Sequence, residues 1–372
     1  MKLGLLTFHD AANYGAALQA YALQAFLEGE GFDCEYLDYR NERRRHMYDM
    51  GWHVADSLRR GDLASAAKYF LGAPFMQLRK RRFAAFRGAH LKVSSREYRT
   101  SGELGAATGG YDKFVVGSDQ VWNPFNNGAD TAFLLDFLDD PHRKIAYSSS
   151  FGISEIPADL KEAYARCLNG MGRIAVRERA VSQLVKSLTG RDVPVVMDPV
   201  FLPGRGHWDA LAGTKRRDET PFVFSYTNRG GQAEAFFRAT RYSMQGKTLR
   251  KLARQTSPRD FVRRGVEVAY CLPPAEFVRN VRDAELVLTA SFHCLSFAIL
   301  FNKPFVCFLT GDAGKDERPA GLLQALGLEG RIFRSGMTLD EVKAPIDYGT
   351  VNGKLDDLVA RSKSWLLDAL KE

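Results

Sequence analysis

A histidine and two cations follow two apolar runs in the last third of the chain. The run ELVLTA ends at Ala290, Ser291 stands where a helix N-cap is expected, and His293 follows in the turn. The next apolar run, FVCFLT, leads into a polar loop that carries Lys315 and Arg318. Parallel strands end at one edge of a sheet, so the turn and the loop are expected to meet there. A helix N-terminus beside an imidazole and two cations suits an anionic ligand.

The structural alternative for His293 is a histidine that only packs in the turn, and such histidines outnumber catalytic ones. The flanking runs LSFAILF and FVCFL are mostly core. We favour a functional role because His293 lies at the carboxyl end of a strand and is followed by cations.

Polar side chains also follow two earlier strand-like runs. After KFVVG come Asp119 and Gln120, which are suited to binding the hydroxyl groups of a sugar. After RIAV comes Arg177, which can clamp a carboxylate or a phosphate with two hydrogen bonds. The alternatives are a turn closed by the Asp119 side chain and an ion pair between Arg177 and Glu178.

The first strand, KLGLLTF, leads through a loop into the helix ALQAYALQAFLEG, at whose start lie Asn13 and Tyr14. This loop has no GxGxxG pattern, which argues against a bound dinucleotide. Asn13 and Tyr14 are candidates for binding an acceptor molecule. A helix cap and a packed tyrosine explain them equally well.

Residues 40–105 are basic and helical in pattern, which predicts an insert in the first domain. An apolar stripe is expected beside four consecutive cations. The stripe is Phe75, Leu78, Phe83 and Phe86, and the cations are Arg79, Lys80, Arg81 and Arg82. Such a helix suits an anionic membrane surface. A solvated charged face is the alternative that we favour, and no nucleic-acid recognition motif is present.

The composition is that of a globular protein with anionic partners. The net charge is +8, and the five cysteines form no CxxC pair, which favours free thiols in a reducing compartment. The start of the chain is expected to be a strand and not a signal peptide, and the longest apolar stretch is interrupted by polar residues. We therefore expect a cytoplasmic protein, with peripheral contact at the inner face of the cell membrane as a hypothesis.

Alternating strands and helices predict an α/β fold of two Rossmann-like domains. We expect an N-terminal domain at residues 1–198, with the helical insert at about 40–105. A C-terminal domain is expected at 199–351, and a C-terminal helix at 352–372 that packs back on the N-terminal domain. The strands predicted beyond residue 190 are VPVVM, PFVFSY, GVEVAY and IFRS, besides the two around His293.

Six segments taken together resemble the polysaccharide pyruvyl transferase family over nearly the full chain. They are HDAANYGAALQAYALQ, YDKFVVGSDQVWNP, IAYSSSFGISEIP, AVRERA, VMDPVFL and LTASFHCLSFAILFNKPF. The resemblance implies a fold similar to GT-B glycosyltransferases, with a cleft between the two domains. It implies transfer of pyruvate from phosphoenolpyruvate to a sugar as a ketal, without a metal or another cofactor.

The resemblance also implies roles for individual residues. His293 is then the catalytic histidine, Arg177 the cleft arginine and Lys315 the lysine downstream of the SFH turn, although the length of that loop varies in the family. Arg318 and Ser291 are added as donor-binding residues on physical grounds. The acceptor, a sugar or a lipid-linked oligosaccharide, is expected at the N-terminal domain and the cleft. It is expected to meet Asn13, Tyr14, Asp119 and Gln120.

Cys294 stands where many members of the family have glycine, and its thiol would limit close approach of a ligand to that backbone.

Two other functions remain open from the sequence. One is a glycosyltransferase that uses a nucleotide-sugar donor, for which Glu276 is a conceivable ribose ligand. The other is a non-catalytic glycan-binding protein. Nucleic acid is not an expected partner.

Overall fold

The computed structural model describes residues 1–214, 220–227, 230–240, 246–253 and 265–372. The chain divides into two compact units. The first consists of Met1–Leu202 and Arg361–Glu372, and the second of Pro203–Ala360.

The first unit is built on a six-stranded parallel sheet. Its strands are β1 (Lys2–Leu6), β2 (Asp33–Tyr39), β3 (Val93–Tyr98), β4 (Lys113–Val116), β5 (Lys144–Ser149) and β6 (Arg173–Val176). Their order in the sheet is β3-β2-β1-β4-β5-β6, the order of dinucleotide-binding folds. The helices are α1 (Tyr14–Gly29), α2 (Glu42–Met47), α3 (Met50–Arg59), α4 (Leu63–His90), α5 (Ser101–Gly105), α6 (Pro124–Asn127), α7 (Lys161–Asn169) and α8 (Arg179–Thr189).

The central strands of this sheet are buried on both faces, which explains their continuous apolar runs. Side chains alternate between the faces along a strand. Leu5, Val115 and Ile145 therefore belong to one core, and the next residues along the chain belong to the other. The end of the chain contributes Leu366, Ala369 and Leu370 to the first of these cores.

The second unit has a five-stranded parallel sheet in the described residues. Its strands are β7 (Phe222–Tyr226), β8 (Thr248–Ala253), β9 (Val266–Tyr270), β10 (Leu286–Thr289) and β11 (Phe305–Cys307), in the order β11-β10-β7-β8-β9. The helices are α9 (Arg205–Ala212), α10 (Gly230–Ala239), α11 (Pro274–Asp283), α12 (Phe292–Leu300), α13 (Ala313–Leu326), α14 (Leu339–Lys343) and α15 (Tyr348–Lys371), the last of which ends in the first unit. The prediction of two Rossmann-like α/β domains is confirmed.

Several local predictions were wrong. The segment at 40–105 is not helical throughout, because β3 lies within it and pairs with β2. The predicted strands VPVVM and IFRS are each reduced to an isolated β-bridge. Val195 of the first pairs with Val176, and Ile332 of the second pairs with Cys307. The strand β8 was missed.

The basic insert is attached to the first unit by its own cation Arg79. The Arg79 Nε donates a hydrogen bond of 2.8 Å to the carbonyl oxygen of Ala12, and the guanidinium lies 5.1 Å from the Tyr14 ring centre. Phe83 and Phe86 are buried, whereas Phe75 and Leu78 are exposed. The predicted stripe therefore does not form one surface, because only its last two residues pack on the fold.

Candidate active site

The order of strands reverses direction between β1 and β4 in the first sheet. In open α/β sheets, ligands bind outside the carboxyl ends of the strands at such a point. Asn13 follows β1, and Ser118, Asp119 and Gln120 follow β4. Three of the four predicted acceptor-binding residues are thus on the two loops that border this position.

A special backbone conformation carries Asp119. Gly117 has φ 120°, and a Cβ at this position would lie 2.1 Å from the Tyr147 carbonyl oxygen. Only glycine fits such a conformation and such a close approach. Asp119 itself has φ 74°, and its carbonyl oxygen accepts a hydrogen bond of 3.0 Å from the Ser150 amide. The turn after β4 is therefore fixed to the end of β5, with the Asp119 side chain partly exposed.

Arg177 lies at the end of β6 among three carboxylates and is nearly inaccessible to solvent. Its guanidinium lies 3.1 Å from Glu178, 3.2 Å from Asp198 and 3.7 Å from Asp119. Burial alone would lower the pKa of Arg177. Glu178, Asp119 and Asp198 outweigh burial and raise that pKa above its ordinary value. The ion-pair alternative for Arg177 is therefore present in the structure, and it includes two carboxylates besides Glu178.

Buried hydroxyl groups complete this polar network. The Ser118 hydroxyl lies 2.8 Å from the Ser148 carbonyl oxygen and 3.2 Å from Asp198, and the Ser150 hydroxyl donates to Glu178 at 3.0 Å. Asp198 also accepts a hydrogen bond of 3.1 Å from the Val200 amide. The network holds the carboxylates in place, and Asp119 is its most exposed acid.

The other acceptor candidates differ in accessibility. Gln120 packs over Gly152, where a Cβ would lie 2.0 Å from the Gln120 amide nitrogen. The Asn13 side chain accepts a hydrogen bond of 2.9 Å from the Gly15 amide and so caps α1. Tyr14 is buried, 5.0 Å from Phe83 between ring centres. For Asn13 and Tyr14, these contacts match the structural alternative of a cap and a packed ring.

In the second sheet, the order of strands reverses between β7 and β10. His293 lies in the first turn of α12, directly after β10, and only 8% of its surface is exposed. Ser291 caps this helix by accepting a hydrogen bond of 3.5 Å from the Cys294 amide. Thr289 accepts one of 2.9 Å from the Ser291 amide and fixes the turn. The histidine is thus placed at the position where this sheet would bind a ligand.

Cys294 is fully buried, and burial raises the pKa of its thiol to about 12, so the neutral thiol packs in the helix.

Lys315 and Arg318 lie in the first half of α13, so the predicted polar loop is in fact mostly a helix. Because β10 and β11 are adjacent parallel strands, α12 and α13 begin at the same edge of the sheet, and the two helices contact each other. Lys315 is exposed and pairs with Asp312 at 2.6 Å. Asp316 accepts hydrogen bonds from the Thr310 and Gly311 amides and ties the preceding loop to the helix.

Two members of the network were missed by sequence reasoning. Asp198 stands in the quoted segment VMDPVFL, at the end of the predicted N-terminal domain, and was not predicted as a site residue. Ser118 stands in the quoted segment YDKFVVGSDQVWNP, directly before Asp119. A polar residue that interrupts an apolar segment beside a strand end was the available signal in both cases.

Glu276, the conceivable ribose ligand of the nucleotide-sugar alternative, lies in the first turn of α11, beside a small cavity of about 100 Å³ that also contacts Arg250 and Arg279.

The chain shows a distant likeness to several solved structures. The UDP-GlcNAc 2-epimerase of Neisseria meningitidis is 10% identical, with a TM-score of 0.49, and the likeness covers 99% of this chain and 94% of that one. The glycosyltransferase SnogD of Streptomyces nogalater is 11% identical, with a TM-score of 0.48, and the likeness covers 100% of this chain and 98% of that one. The UDP-GlcNAc 2-epimerase of Methanocaldococcus jannaschii is 10% identical, with a TM-score of 0.47, and the likeness covers 96% of this chain and 93% of that one. No curated relative matches the chain.

A family model gives a clear result. Residues 13–312 match the model described as polysaccharide pyruvyl transferase. The matched range contains Asp119, Arg177 and His293, and it ends before Lys315 and Arg318. The match spans well over half of the chain, which therefore belongs to the polysaccharide pyruvyl transferase family.

Proposed function

We propose that this protein transfers pyruvate from phosphoenolpyruvate to a sugar of a lipid-linked oligosaccharide in the synthesis of a surface polysaccharide. The family match carries the proposal, because it spans both strand-end turns. The positions of Asp119 and His293 at the reversal points of the two sheets support it.

The proposed reaction converts the enol carbon of the donor into a ketal carbon. The methylene carbon of phosphoenolpyruvate gains a proton, and two hydroxyl oxygens of one sugar form bonds to the adjacent carbon. The carbon–oxygen bond to phosphate breaks. One hydroxyl proton balances the new methyl group, and the other leaves with the phosphate.

His293 is the proposed proton donor to the methylene carbon, since a histidine exchanges protons near neutral pH. Ser291, Lys315 and Arg318 are the proposed partners of the donor's phosphate and carboxylate groups. Lys315 and the N-terminus of α12 lie at one edge of the second sheet, so both can act on the same anion.

Asp119 is the proposed acceptor of the sugar hydroxyl proton, and Gln120 a partner of a neighbouring hydroxyl. Arg177 then has a positioning role, because its guanidinium is held by three carboxylates that include Asp119. A cation so fully neutralised attracts a further anion weakly. It fixes the Asp119 carboxylate in one orientation.

The test is incubation with phosphoenolpyruvate and a panel of lipid-linked sugars, read by mass for the ketal and by assay for released phosphate. We expect a mass increase and phosphate release in equal amounts for one member of the panel. No phosphate release with any sugar would contradict the proposal. Thermal stabilisation by UDP or GDP but not by phosphoenolpyruvate would favour a nucleotide-sugar transferase instead.

Peripheral membrane contact is proposed for the exposed side of the insert. The large apolar residues that the insert exposes are Leu58, Leu63, Phe70, Leu71, Phe75 and Leu78. Exposed apolar residues beside Lys80 and Arg81 suit an anionic bilayer surface. The helices of the described residues include none long and apolar enough to cross a membrane.

Arg79 does not belong to this exposed surface, because its side chain is buried within the first unit. Flotation with anionic liposomes is expected for the natural chain and is expected to fall for the double variant Phe70→Ser and Leu71→Ser. Flotation that this variant leaves unchanged would contradict membrane contact through the insert.

A further inference from the structure

A basic pocket lies between α4 and the carboxyl ends of β1 and β2 within the first unit. Its volume is about 410 Å³, within the range of roughly 300–1,000 Å³ that is typical of small-molecule sites. The charged residues of its lining are the cations Arg40, Arg44, Arg45, Lys80, Arg81 and Arg87 and the acids Asp10 and Glu97. The cations exceed the acids, so the pocket favours an anion with more than one charge.

Two of the cations are already held by carboxylates. Arg44 lies 3.1 Å from Asp10. Arg40 donates two hydrogen bonds to Asp38, at 2.7 and 2.9 Å, and its guanidinium also lies 3.9 Å from Asp10. These pairs fix the rim of the pocket and bring little free charge to it.

The other four cations, Arg45, Lys80, Arg81 and Arg87, have no carboxylate within 4.0 Å in the part of the chain that the structure describes. Among them, Arg87 is the least exposed. Burial, and then the charge of Arg40, lower the pKa of Arg87. An arginine in such surroundings gains from a bound anion, which supplies the charge-assisted hydrogen bonds that the protein leaves unmade.

The pocket adjoins the predicted acceptor site. Asp10 follows β1 and Asp119 follows β4, and these two strands are neighbours, about 5 Å apart. Tyr48 lines the pocket, and burial raises the pKa of its phenol, with smaller contributions in the same direction from Asp10 and Asp119. A molecule in contact with Asp119 can therefore extend into the pocket.

Exposed apolar residues of α4 precede the residues of the same helix that line the pocket. Gln77, Lys80 and Ala84 of α4 line the pocket. Phe70 precedes Gln77 by about two helical turns, so it lies on the same side of the helix, and it is 68% exposed. A ligand that consists of a sugar, a doubly charged linker and a hydrocarbon chain would meet Asp119 with its sugar, the cations of the pocket with its linker and Phe70 with its hydrocarbon chain.

We propose that this pocket binds the diphosphate that joins the acceptor sugar to its lipid. The inference rests on the proposed function, and it assigns the substrate's linker to Lys80, Arg81 and Arg87. Arg40 and Arg44 then hold the adjoining wall in place through their carboxylate partners.

The test is calorimetry with inorganic pyrophosphate on the full chain without phosphoenolpyruvate. We expect the natural chain to bind pyrophosphate, and Arg87→Gln and Lys80→Gln each to weaken binding about tenfold. The matched control is Lys68→Gln, an exposed lysine of the same helix outside the pocket. We expect it to bind within about twofold of the natural chain, because a distant exposed charge is screened.

Equal weakening by all three variants would overturn the proposal, because it would indicate general attraction by a basic surface. No binding of pyrophosphate at millimolar concentration would also overturn it. Lys80 is exposed, so its replacement tests the pocket even if Arg87→Gln does not fold. The melting temperature of each variant shows whether it is folded.

The source of the diphosphate is tested by comparing geranyl diphosphate with UDP. A lipid-linked ligand predicts that geranyl diphosphate binds more tightly than pyrophosphate and UDP, and that Phe70→Ser removes this advantage. Tighter binding of UDP would overturn the lipid-linked assignment.

Failure of this inference is distinguishable from failure of the proposed function. Pyrophosphate binding without any pyruvyl transfer would contradict only the function. Transfer to a lipid-linked sugar without pyrophosphate binding would contradict only the inference.

Discussion

The carboxyl edges of the two sheets hold their charges in different ways. At the edge of the first sheet, Arg177 is buried among three carboxylates, and Asp38 bonds Arg40 and His9. At the edge of the second, Lys315 is exposed on a helix and His293 occupies a capped turn. Both edges have the same parallel topology. Topology therefore places polar residues together, whereas the surrounding contacts decide whether a charge remains available to a ligand.

The largest effect on activity is expected from replacing His293 at the edge of the second sheet. Replacing His293 by Asn removes the proposed proton donor and is expected to lower kcat/KM for pyruvyl transfer by about 10²- to 10⁴-fold, the usual contribution of general acid catalysis. Steady-state kinetics with phosphoenolpyruvate measure this effect. His142→Asn, at an exposed position, is the control. Full activity of His293→Asn with an unchanged melting temperature would remove His293 from the mechanism.

At the edge of the first sheet, replacing Arg177 is expected to lower the free energy of unfolding. Arg177→Gln leaves three carboxylates close together in a buried site, and losing one partner of a buried ion pair costs about 3–5 kcal/mol. Urea unfolding at pH 7 measures the free energy of unfolding. Arg179→Gln, two residues along the chain at an exposed position, is expected to change it by less than about 0.5 kcal/mol. Equal stability of both variants would show that the network does not depend on Arg177.

A smaller effect is expected at Asp38, and it depends on pH. Burial raises the pKa of Asp38, but hydrogen bonds with His9 and Arg40 outweigh burial and lower that pKa from 3.8 to about 2. The unfolded state therefore binds the proton more readily, so Asp38 stabilises the fold above about pH 4, and this stabilisation is lost as the pH falls towards 2.

Asp38→Asn is accordingly expected to reduce the free energy of unfolding by about 2 kcal/mol at pH 7, with the difference shrinking below pH 4. Urea titrations at several pH values measure it, with the exposed Asp33→Asn of the same strand as control. A difference that does not vary with pH would contradict the assignment to a charged Asp38.

The smallest effect is expected at Lys315. Its exposed ammonium is a point charge that water and salt screen, so Lys315→Gln is expected to raise the KM for phosphoenolpyruvate by about three- to tenfold at low salt. The effect should decrease as salt is added. Lys354→Gln, exposed on α15, is the control. The same KM for Lys315→Gln and Lys354→Gln would exclude Lys315 from donor binding.

The α/β class and the strand ends where Asp119, Arg177 and His293 lie could be predicted from the sequence alone. Buried parallel strands are short apolar runs, so the polar residues that end them can be read directly. The helix α13 escaped prediction because the segment that forms it, AGKDERPAGLL, is polar at first and contains a proline, and its start is fixed by contacts of Asp316 with the preceding loop.

The use of the charges, by contrast, depends on contacts between residues that are distant in the chain. Asp119, Arg177 and Asp198 are far apart in the chain, and the fold brings the Asp119 and Asp198 carboxylates to 3.7 and 3.2 Å from the Arg177 guanidinium. In the run at 79–82, the sequence shows four equal cations, but successive residues of a helix point about 100° apart. Arg79 is therefore buried against Ala12, whereas Lys80 and Arg81 line a pocket that no local pattern could reveal.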